Sequence, residues 1–178
     1  MPLNYNNKMT LHNGDVLLRP LRDADKTAIA ILLNNENVWN NVRDMIPFPY
    51  TETDAQIFID LKKEENPPFT FAIEYNGEFC GIIGLVPQND VYKLSAEIGY
   101  WIGERFWGNG ITTKAVHLIT TYGLEELSFI RIYAGVFEFN IRSMRVLEKS
   151  GFQKDGIFRK AVIKNDKIWD EHRYSITK

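Results

Sequence analysis

The chain has 178 residues, of which 44% are hydrophobic and 13% aromatic, enough to build one large hydrophobic core. Its 21 basic and 23 acidic side chains give a formal net charge of −2, which argues against nucleic-acid binding because that function requires clustered excess Lys and Arg. No segment approaches the roughly 20 apolar residues of a membrane helix, and the polar N-terminal residues 1–13 lack a signal-peptide pattern. We therefore expect one cytoplasmic domain over residues 1–178, with no nucleic-acid or membrane partner.

The first part of the chain predicts one strand and two helices. Residues 15–21 have the pattern of a strand, and Asp23 is a plausible N-cap for a helix with one apolar face (Ile29, Leu32 and Leu33). Residues 38–50 are irregular and rich in aromatic side chains. Residues 53–56 have the form of a capping box, which predicts the start of a second helix.

The middle of the chain predicts a β-hairpin, a further strand and a helix. Residues 69–75 and 78–86 are strand-like and are joined by Asn76-Gly77, the strongest two-residue hairpin signal. Residues 93–102 alternate as a strand. From Ile111 to Tyr122 the apolar residues recur at helical spacing.

The last part predicts a strand over residues 130–137, a short helix over 140–149 that Asn140 caps, and two strands over 152–163 and 167–176. The complete order is β-α-α-β-β-β-α-β-α-β-β. The strand-helix-strand crossover that follows the antiparallel strands should be right-handed and join parallel strands. The pattern therefore predicts a mixed α/β (α+β) sheet.

Cysteine and histidine give little support for a thiol enzyme or a metal site. Cys80 lies alone in a strand-like run, which favours a small buried side chain over a catalytic thiol. The three histidines share no metal-ligand spacing (His12, His117 and His172). We expect no metal.

The segment from Tyr100 to Lys114 ends a strand, carries Gly108 and Gly110 in a short loop, and begins a helix at once. Such a loop directs backbone N–H groups at one point beside the positive end of a helix dipole, which predicts an anion site. Two nucleotide motifs fail here: a Walker loop would continue with Lys after Gly110, and a dinucleotide fingerprint would have glycine in place of Thr113. A turn whose glycines serve only packing is the alternative.

Two motifs resemble the GNAT superfamily of acetyl-coenzyme A-dependent N-acetyltransferases. The pattern Arg105-x-x-Gly108-x-Gly110 resembles its pyrophosphate loop, and the segment from Asn140 to Phe152 resembles its later motif of an Asn, a short helix and Gly-Phe. The resemblance runs over nearly the whole chain and is closest to the ribosomal-protein-alanine N-acetyltransferase branch (RimJ/RimL type). It implies a GNAT-like, mostly antiparallel central sheet of about seven strands with about four helices and splayed parallel central strands.

The resemblance also implies acetyl-CoA as co-substrate and assigns residues to it. The pantetheine arm would lie as an extra pseudo-strand beside residues 100–102, with the pyrophosphate over residues 108–113. The positions assigned to acetyl-CoA are Tyr100, Trp101, Ile102, Arg105, Gly108, Asn109, Gly110, Ile111, Thr112, Thr113, Asn140 and Ser143. Three cations on the predicted helix after Asn140 either meet the nucleotide's 3′-phosphate or are ordinary surface charge (Arg142, Arg145 and Lys149).

The catalytic positions of the superfamily are partly missing. Many members donate a proton to the leaving thiolate from a Tyr seven residues after the Asn, where this chain has Leu147. The ribosomal branch has a Ser three residues after the Asn, so Ser143 is the expected acid, directly or through water; a first-turn helix hydroxyl is the alternative. The position at which the ribosomal branch carries a Glu as base is occupied by Val162 in this chain. Glu97 is the remaining candidate base, with a structural role as its alternative.

The acceptor is expected to be an amine. Deprotonating a lysine-type amine at pH 7 costs about 4.6 kcal/mol, against about 1.2 kcal/mol for an α-amine, and a weak or indirect base therefore favours the α-amine of a protein or peptide N-terminus. Expected walls of the acceptor pocket, or alternatively packing residues, are Trp39, Arg43, Phe48 and Tyr50. Two alternatives stay open: an acetyltransferase for a small amine (polyamine, amino acid, aminoglycoside or amino sugar), and a catalytically silent acyl-CoA-binding module. The sequence also leaves open whether the protein is a monomer or a homodimer.

Overall fold

The structure is a computed structural model that describes residues 9–178, so part of the polar N-terminal segment, residues 1–8, lies outside the described residues. Within the described range no helix has the length and apolar character needed to cross a membrane. The elements are β1 (Leu11–Asn13), β2 (Val16–Arg19), α1 (Lys26–Leu33), α2 (Glu36–Trp39), α3 (Glu52–Lys63), β3 (Thr70–Tyr75), β4 (Glu78–Pro87), β5 (Ser95–Ile102), α4 (Ile111–Thr121), β6 (Arg131–Phe137), α5 (Ile141–Lys149), β7 (Gln153–Lys164) and β8 (Lys167–Thr177).

The strands follow the order β1-β2-β3-β4-β5-β6-β8-β7 in one sheet. β5 and β6 pair in parallel, whereas β1–β2, β2–β3, β3–β4, β6–β8 and β7–β8 pair antiparallel. The predicted mixed, mostly antiparallel sheet is therefore confirmed. Residues 9–178 form eight strands in place of the expected seven, since the three-residue β1 is too short to show alternation in the sequence.

Helix counts in the described residues also differ slightly from expectation. One extra turn of helix, α2, lies at the start of the segment predicted to be irregular. Asn35 caps it, because the Asn35 Oδ1 atom accepts hydrogen bonds from the N–H groups of Asn37 and Val38. Five α-helices therefore replace the expected four.

The chain divides into two compact units, which are described separately. The first contains the residues up to Gly84 and Tyr100–Ile111. Its hydrophobic core joins the buried faces of α1 and α3 to apolar side chains of β3 and β4 (Ile29, Leu33, Ala55, Ile59, Ala72, Phe79 and Ile82). The core therefore supports the end of β5 and the residues that follow it, since Trp101 and Trp107 pack against the same cluster.

A buried ion cluster also holds the first unit. Arg19 donates to both carboxyl oxygens of Asp25 at 2.8 Å and to Glu74 at 2.5 Å. Arg19 is 3% exposed and Asp25 is 5% exposed. Burial alone would lower the pKa of Arg19, but the hydrogen bonds that it donates to Asp25 and Glu74 raise the pKa overall, so the guanidinium stays charged.

Two predicted helix starts are wrong. A 3₁₀ turn, Asp23–Asp25, precedes α1, and the Asp23 carboxylate accepts hydrogen bonds from Gln56 and Lys63 of α3 instead of capping α1. α3 starts two residues earlier than predicted, because the capping box is formed by Thr51 and Asp54. Asp at the third helical position, in place of Glu or Gln, hid this box in the sequence.

The β3–β4 hairpin is confirmed. Asn76 and Gly77 have φ angles of +50° and +84°, as a two-residue primed turn requires. Cys80 on β4 is fully buried, and its thiol donates to the Ile73 carbonyl at 3.3 Å. Burial raises the pKa of the thiol to about 12, so its prediction as a buried side chain is confirmed.

The second unit contains Leu85–Gly99 and Thr112–Lys178. Alternate residues of β6 are buried, as are apolar positions of α4 and α5 (Ile132, Ala134, Val136, Ala115, Val116, Ile119 and Leu147). A π-helical turn, Tyr122–Glu126, follows α4. β7 and β8 form a long hairpin whose turn residues, Asn165 and Asp166, both have positive φ angles.

Candidate active site

The glycine loop between β5 and α4 is exposed and open. Gly108 and Gly110 have φ angles of +82° and +73°, a backbone conformation that favours glycine. A Cβ atom built on either residue meets no atom within 4 Å in the described part of the chain. Packing therefore does not explain these glycines; they permit the turn and leave free space above the loop.

The same loop leads directly into the first turn of α4, at Ile111. The first N–H groups of an α-helix have no partner inside the helix, and the helix dipole places about half a positive charge there. Residues 111–113 contribute such groups beside the open glycines. The combination suits an anion such as a phosphate.

Side chains around the loop hold its shape. Trp107 Nε1 donates to the Ile102 carbonyl at 2.9 Å, and Asn109 Nδ2 donates to the Phe106 carbonyl at 3.2 Å. Arg105 forms an ion pair with Glu78 and lies over the Phe106 ring at 4.6 Å. The Arg105 side chain is 62% exposed, so this pair leaves it at the surface.

The parallel ladder between β5 and β6 is short. It pairs Ser95 with Arg131, Ala96 with Ile132 and Glu97 with Tyr133, while β5 continues to Ile102 and β6 to Phe137. Among the described residues the β5–β6 pairing ends at Glu97 and Tyr133, although both strands continue. We refer to this end of the ladder, Glu97 and Tyr133, as the fork.

The later motif forms the predicted cap. Asn140 Oδ1 accepts a hydrogen bond from the Ser143 N–H at 3.1 Å and begins α5. Ser143 lies half-buried on the first turn of that helix. Leu147 is fully buried, so the position where many family members carry a Tyr belongs to the core.

Glu97 and Val162, the two positions considered for the base, have different surroundings. Glu97 is half-buried at the fork and shares a sheet face with Tyr133, its direct cross-strand partner. Val162 on β7 pairs with Trp169 on β8. A carboxylate that the sequence pattern did not single out, Glu171, lies two residues further along β8.

Glu171 belongs to a cluster of aromatic and charged side chains. Arg173 donates to Glu171 at 2.5 Å, and its guanidinium lies 4.9 Å from the Tyr133 ring and 4.7 Å from the Phe158 ring. The only sequence signal for this cluster is the alternation of Glu171, Arg173 and Ser175 along a strand. Sequence alone could not place it beside β6, because the register of β6 against β8 decides that contact.

The predicted acceptor residues lie in the first unit and separate into two groups. Trp39 and Phe48 stack with ring centroids 5.2 Å apart, and Trp39 Nε1 donates to the Ile46 carbonyl at 2.9 Å. Tyr50 is 7% exposed and belongs to the hydrophobic core, which favours packing as its role. Arg43 is exposed.

A groove of about 640 Å³ lies beside α1 in the first unit and was not predicted. The exposed side of α1 lines one wall, and Glu104 and Arg105 line the other. Glu104 accepts hydrogen bonds from Asn35 at 2.6 Å and Asn37 at 2.9 Å, which fixes the polar wall. No group of three or more His, Cys, Asp or Glu among residues 9–178 is arranged to hold a metal ion.

Residues 15–153 match the family model described as an acetyltransferase (GNAT) domain. The chain belongs to the GNAT acetyltransferase family. This match runs through the glycine loop, the fork and the Asn140 cap. The resemblance seen in the two sequence motifs is therefore confirmed, and the protein is an acetyltransferase.

Relatives of this GNAT protein include several acetyltransferases of Bacillus subtilis. The probable N-acetyltransferase YjcK is 39% identical over 113 residues, 64% of this chain and 62% of that protein. The uncharacterized N-acetyltransferase YoaA is 31% identical and matches 94% of this chain and 96% of its own length. The putative ribosomal N-acetyltransferase YdaF is 38% identical over 104 residues, 58% of this chain and 56% of that protein.

Two further comparisons are with an acetyltransferase named for a small molecule and with a solved structure of a ribosomal-protein acetyltransferase. Spermidine N(1)-acetyltransferase of Escherichia coli K12 is 29% identical over 79% of this chain and 74% of its own length. The structure of RimL, a ribosomal L7/L12 α-N-protein acetyltransferase in complex with coenzyme A, has a TM-score of 0.84 at 18% identity, covering 95% of this chain and 98% of that one. The similarity to the RimL structure confirms the fold.

Proposed function

We propose that this GNAT protein transfers the acetyl group of acetyl-CoA to the α-amine of a protein or peptide N-terminus, by direct transfer in a ternary complex. The observation that carries the proposal is the open glycine loop: Gly108 and Gly110 have left-handed backbones, with no neighbouring atom within 4 Å of a built Cβ among the described residues. That space lies beside the first turn of α4, where an anion is stabilised.

The donor side would use the residues that the family resemblance assigns. The diphosphate would bind backbone N–H groups from Gly108 to Thr113, and the extended arm would lie along residues 100–102. Asn140 and Ser143 would contact the arm from the start of α5. Acetyl-CoA would supply the thioester whose carbonyl carbon the amine attacks.

The proton steps are assigned to Ser143 and Glu97. Ser143 would donate a proton to the leaving thiolate, directly or through water, because Leu147 is buried where other members carry a Tyr. Glu97 at the fork would accept a proton from the amine through water. Both residues belong to the second unit, and neither step requires a metal.

The choice of acceptor rests on two arguments. An α-amine loses its proton at pH 7 for about 3.4 kcal/mol less than a lysine-type amine does, which suits an indirect base. The 38% identity to YdaF over 104 residues supports a ribosomal or other protein N-terminus. The stacked Trp39 and Phe48, with Arg43 nearby in sequence, are the proposed acceptor contacts.

A small amine is the second candidate, because the spermidine acetyltransferase matches 79% of this chain. The proposal treats residues 1–178 as one acetyltransferase domain, supported by a family match that includes parts of both units. Cytoplasmic location stays a prediction from the sequence.

Binding of coenzyme A tests the donor site with a matched pair of variants. Gly108→Leu and Gly14→Leu impose the same kind of strain, since both glycines have positive φ angles and open surroundings. Calorimetry should show at least a tenfold loss of coenzyme A affinity for Gly108→Leu and wild-type affinity for Gly14→Leu. Equal affinities in two folded variants would contradict the phosphate-loop assignment.

The acceptor is tested by release of coenzyme A with a panel of amines. Peptides with a free N-terminus should react faster than the same peptides with a blocked N-terminus and a free lysine. Faster turnover of spermidine than of any peptide would favour the second candidate. Coenzyme A binding without turnover of any amine would contradict acetyl transfer.

A further inference from the structure

Resting on the proposed acetyl transfer, we propose that Glu171, held by Arg173 beside Gly135, takes the place of Glu97 as the carboxylate that binds the acceptor ammonium and removes its proton. The position on β7 where the ribosomal branch carries a Glu is Val162 in this chain. Glu171 supplies a carboxylate from the neighbouring strand, β8. Glu97 was chosen from the sequence because it precedes the glycine loop, whereas Glu171 is selected by its contacts.

The close approach of Glu171 to β6 depends on a missing side chain. A Cβ atom built on Gly135 would clash with both oxygens and the Cδ atom of the Glu171 carboxyl group. Glycine is otherwise unfavourable inside a strand, and it often marks a close approach of another group. Gly135 therefore makes room for a carboxylate directly on the backbone of β6.

Arg173 fixes the direction of that carboxylate. Its Nη2 and Nε atoms donate to Glu171 Oε1 at 2.5 Å and 3.2 Å, and its guanidinium is held between the Tyr133 and Phe158 rings. Both bonds use Oε1. The Arg173 and Glu171 side chains are only 23% and 12% exposed, so the pair is better ordered than a surface ion pair.

The cluster lies where the thioester is expected. Within the second unit the β5–β6 ladder ends at Glu97 and Tyr133, and the proposal puts the thioester beside this end of the ladder. Gly135 is two residues beyond Tyr133 on β6, roughly 7 Å along a strand. Glu171 therefore lies against the segment of β6 just beyond the fork, within the second unit.

The proposed step balances as follows. The Glu171 carboxylate takes one proton from the acceptor ammonium, and the neutral nitrogen forms a C–N bond to the thioester carbonyl carbon. The C–S bond then breaks, and its electron pair leaves with the sulfur. The thiolate takes a proton from Ser143 or water, the new amide loses its second proton to restore that donor, and the proton on Glu171 passes to solvent. In this scheme Glu171 is a catalytic residue and Arg173 is a positioning residue.

The test replaces each carboxylate by its amide. The charged and titratable groups on the same sheet face and its neighbouring strands include Glu97, Arg131, Tyr133, Asp155, Lys164, Lys167 and Arg173. Glu171→Gln should lower kcat about 10²–10⁴-fold with the best peptide acceptor and remove the acidic limb of the pH profile. Coenzyme A affinity and melting temperature should stay near wild type. Glu125→Gln, at an exposed site in the second unit, is the matched control and should keep wild-type kinetics.

Two further variants separate the possible roles. Gly135→Ala should displace the carboxylate and reduce kcat without changing coenzyme A affinity, and Arg173→Lys should reduce kcat less while shifting the acidic limb. Loss of the acidic limb in Glu97→Gln, with a wild-type profile in Glu171→Gln, would overturn this inference and leave the proposed function intact. Wild-type protein that binds coenzyme A but acetylates no amine would overturn both.

Discussion

Each unit contains an ion cluster built on an arginine: Arg19 binds two carboxylates and Arg173 binds one. The two clusters differ in how far their side chains are exposed to solvent. Arg19 is 3% exposed and uses its whole guanidinium on Asp25 and Glu74, which joins β2, the following turn and β3. Arg173 is partly exposed, binds one oxygen of Glu171, and is held by aromatic rings. Enclosure on all sides makes the first cluster structural, whereas partial exposure beside the fork leaves the second accessible to a substrate.

The largest effect on stability is expected at the enclosed cluster. Arg19→Met should cost about 3–5 kcal/mol of unfolding free energy, because it leaves the buried Asp25 carboxylate without its partner. Urea unfolding measures the loss, with Arg159→Met on the exposed β7 as the control. A cost below about 1 kcal/mol would show that water replaces the guanidinium and that the cluster is not structural.

Arg173→Met should have a small effect on stability and a large effect on turnover. Its ion pair is partly solvated, so we expect a loss of only about 1–2 kcal/mol from the ion pair and the aromatic contacts. The turnover rate should fall more than tenfold because Glu171 loses its fixed direction. The same unfolding and coenzyme A release assays give both values. A stability cost as large as that of Arg19→Met, with normal turnover, would remove the distinction between the clusters.

A smaller effect concerns Tyr50 in the first core and appears only at high pH. Burial, with a contribution from Asp54, raises the pKa of Tyr50 to about 12 from an ordinary value of 10.0. A raised pKa means that the stabilisation is complete below pH 10 and is lost as the pH rises toward 12. Between pH 10 and 12 the free energy of unfolding of Tyr50→Phe should therefore fall by about 2 kcal/mol less than that of the wild type.

Urea unfolding curves of both proteins at pH 9, 10, 11 and 12 measure this difference in the free energy of unfolding. Tyr174 in the second unit also has a pKa raised to about 12, by burial and by its hydrogen bond to Glu148, so Tyr174→Phe is the matching measurement there. Parallel curves for Tyr50→Phe and wild type would contradict the assignment of Tyr50 to the core.

Local sequence chemistry by itself determined several parts of this protein. Asn76-Gly77 predicted the β3–β4 turn, because both residues tolerate positive φ angles. The two glycines before Ile111 predicted an open loop at a helix start, and Asn140 predicted the cap of α5. In each case neighbours along the chain carry the interaction, so spacing alone is sufficient.

Tertiary structure decided the features that join distant segments. Asp23 binds α3 instead of capping α1, because Gln56 and Lys63 lie against it in the fold. Glu171 is placed against Gly135 only by the register of β6 with β8, and a shift of one residue would turn its side chain to the other face of the sheet. Strand pairing across some 35 residues leaves no local pattern, so the sequence identified the family and the open glycine loop but did not reveal this carboxylate.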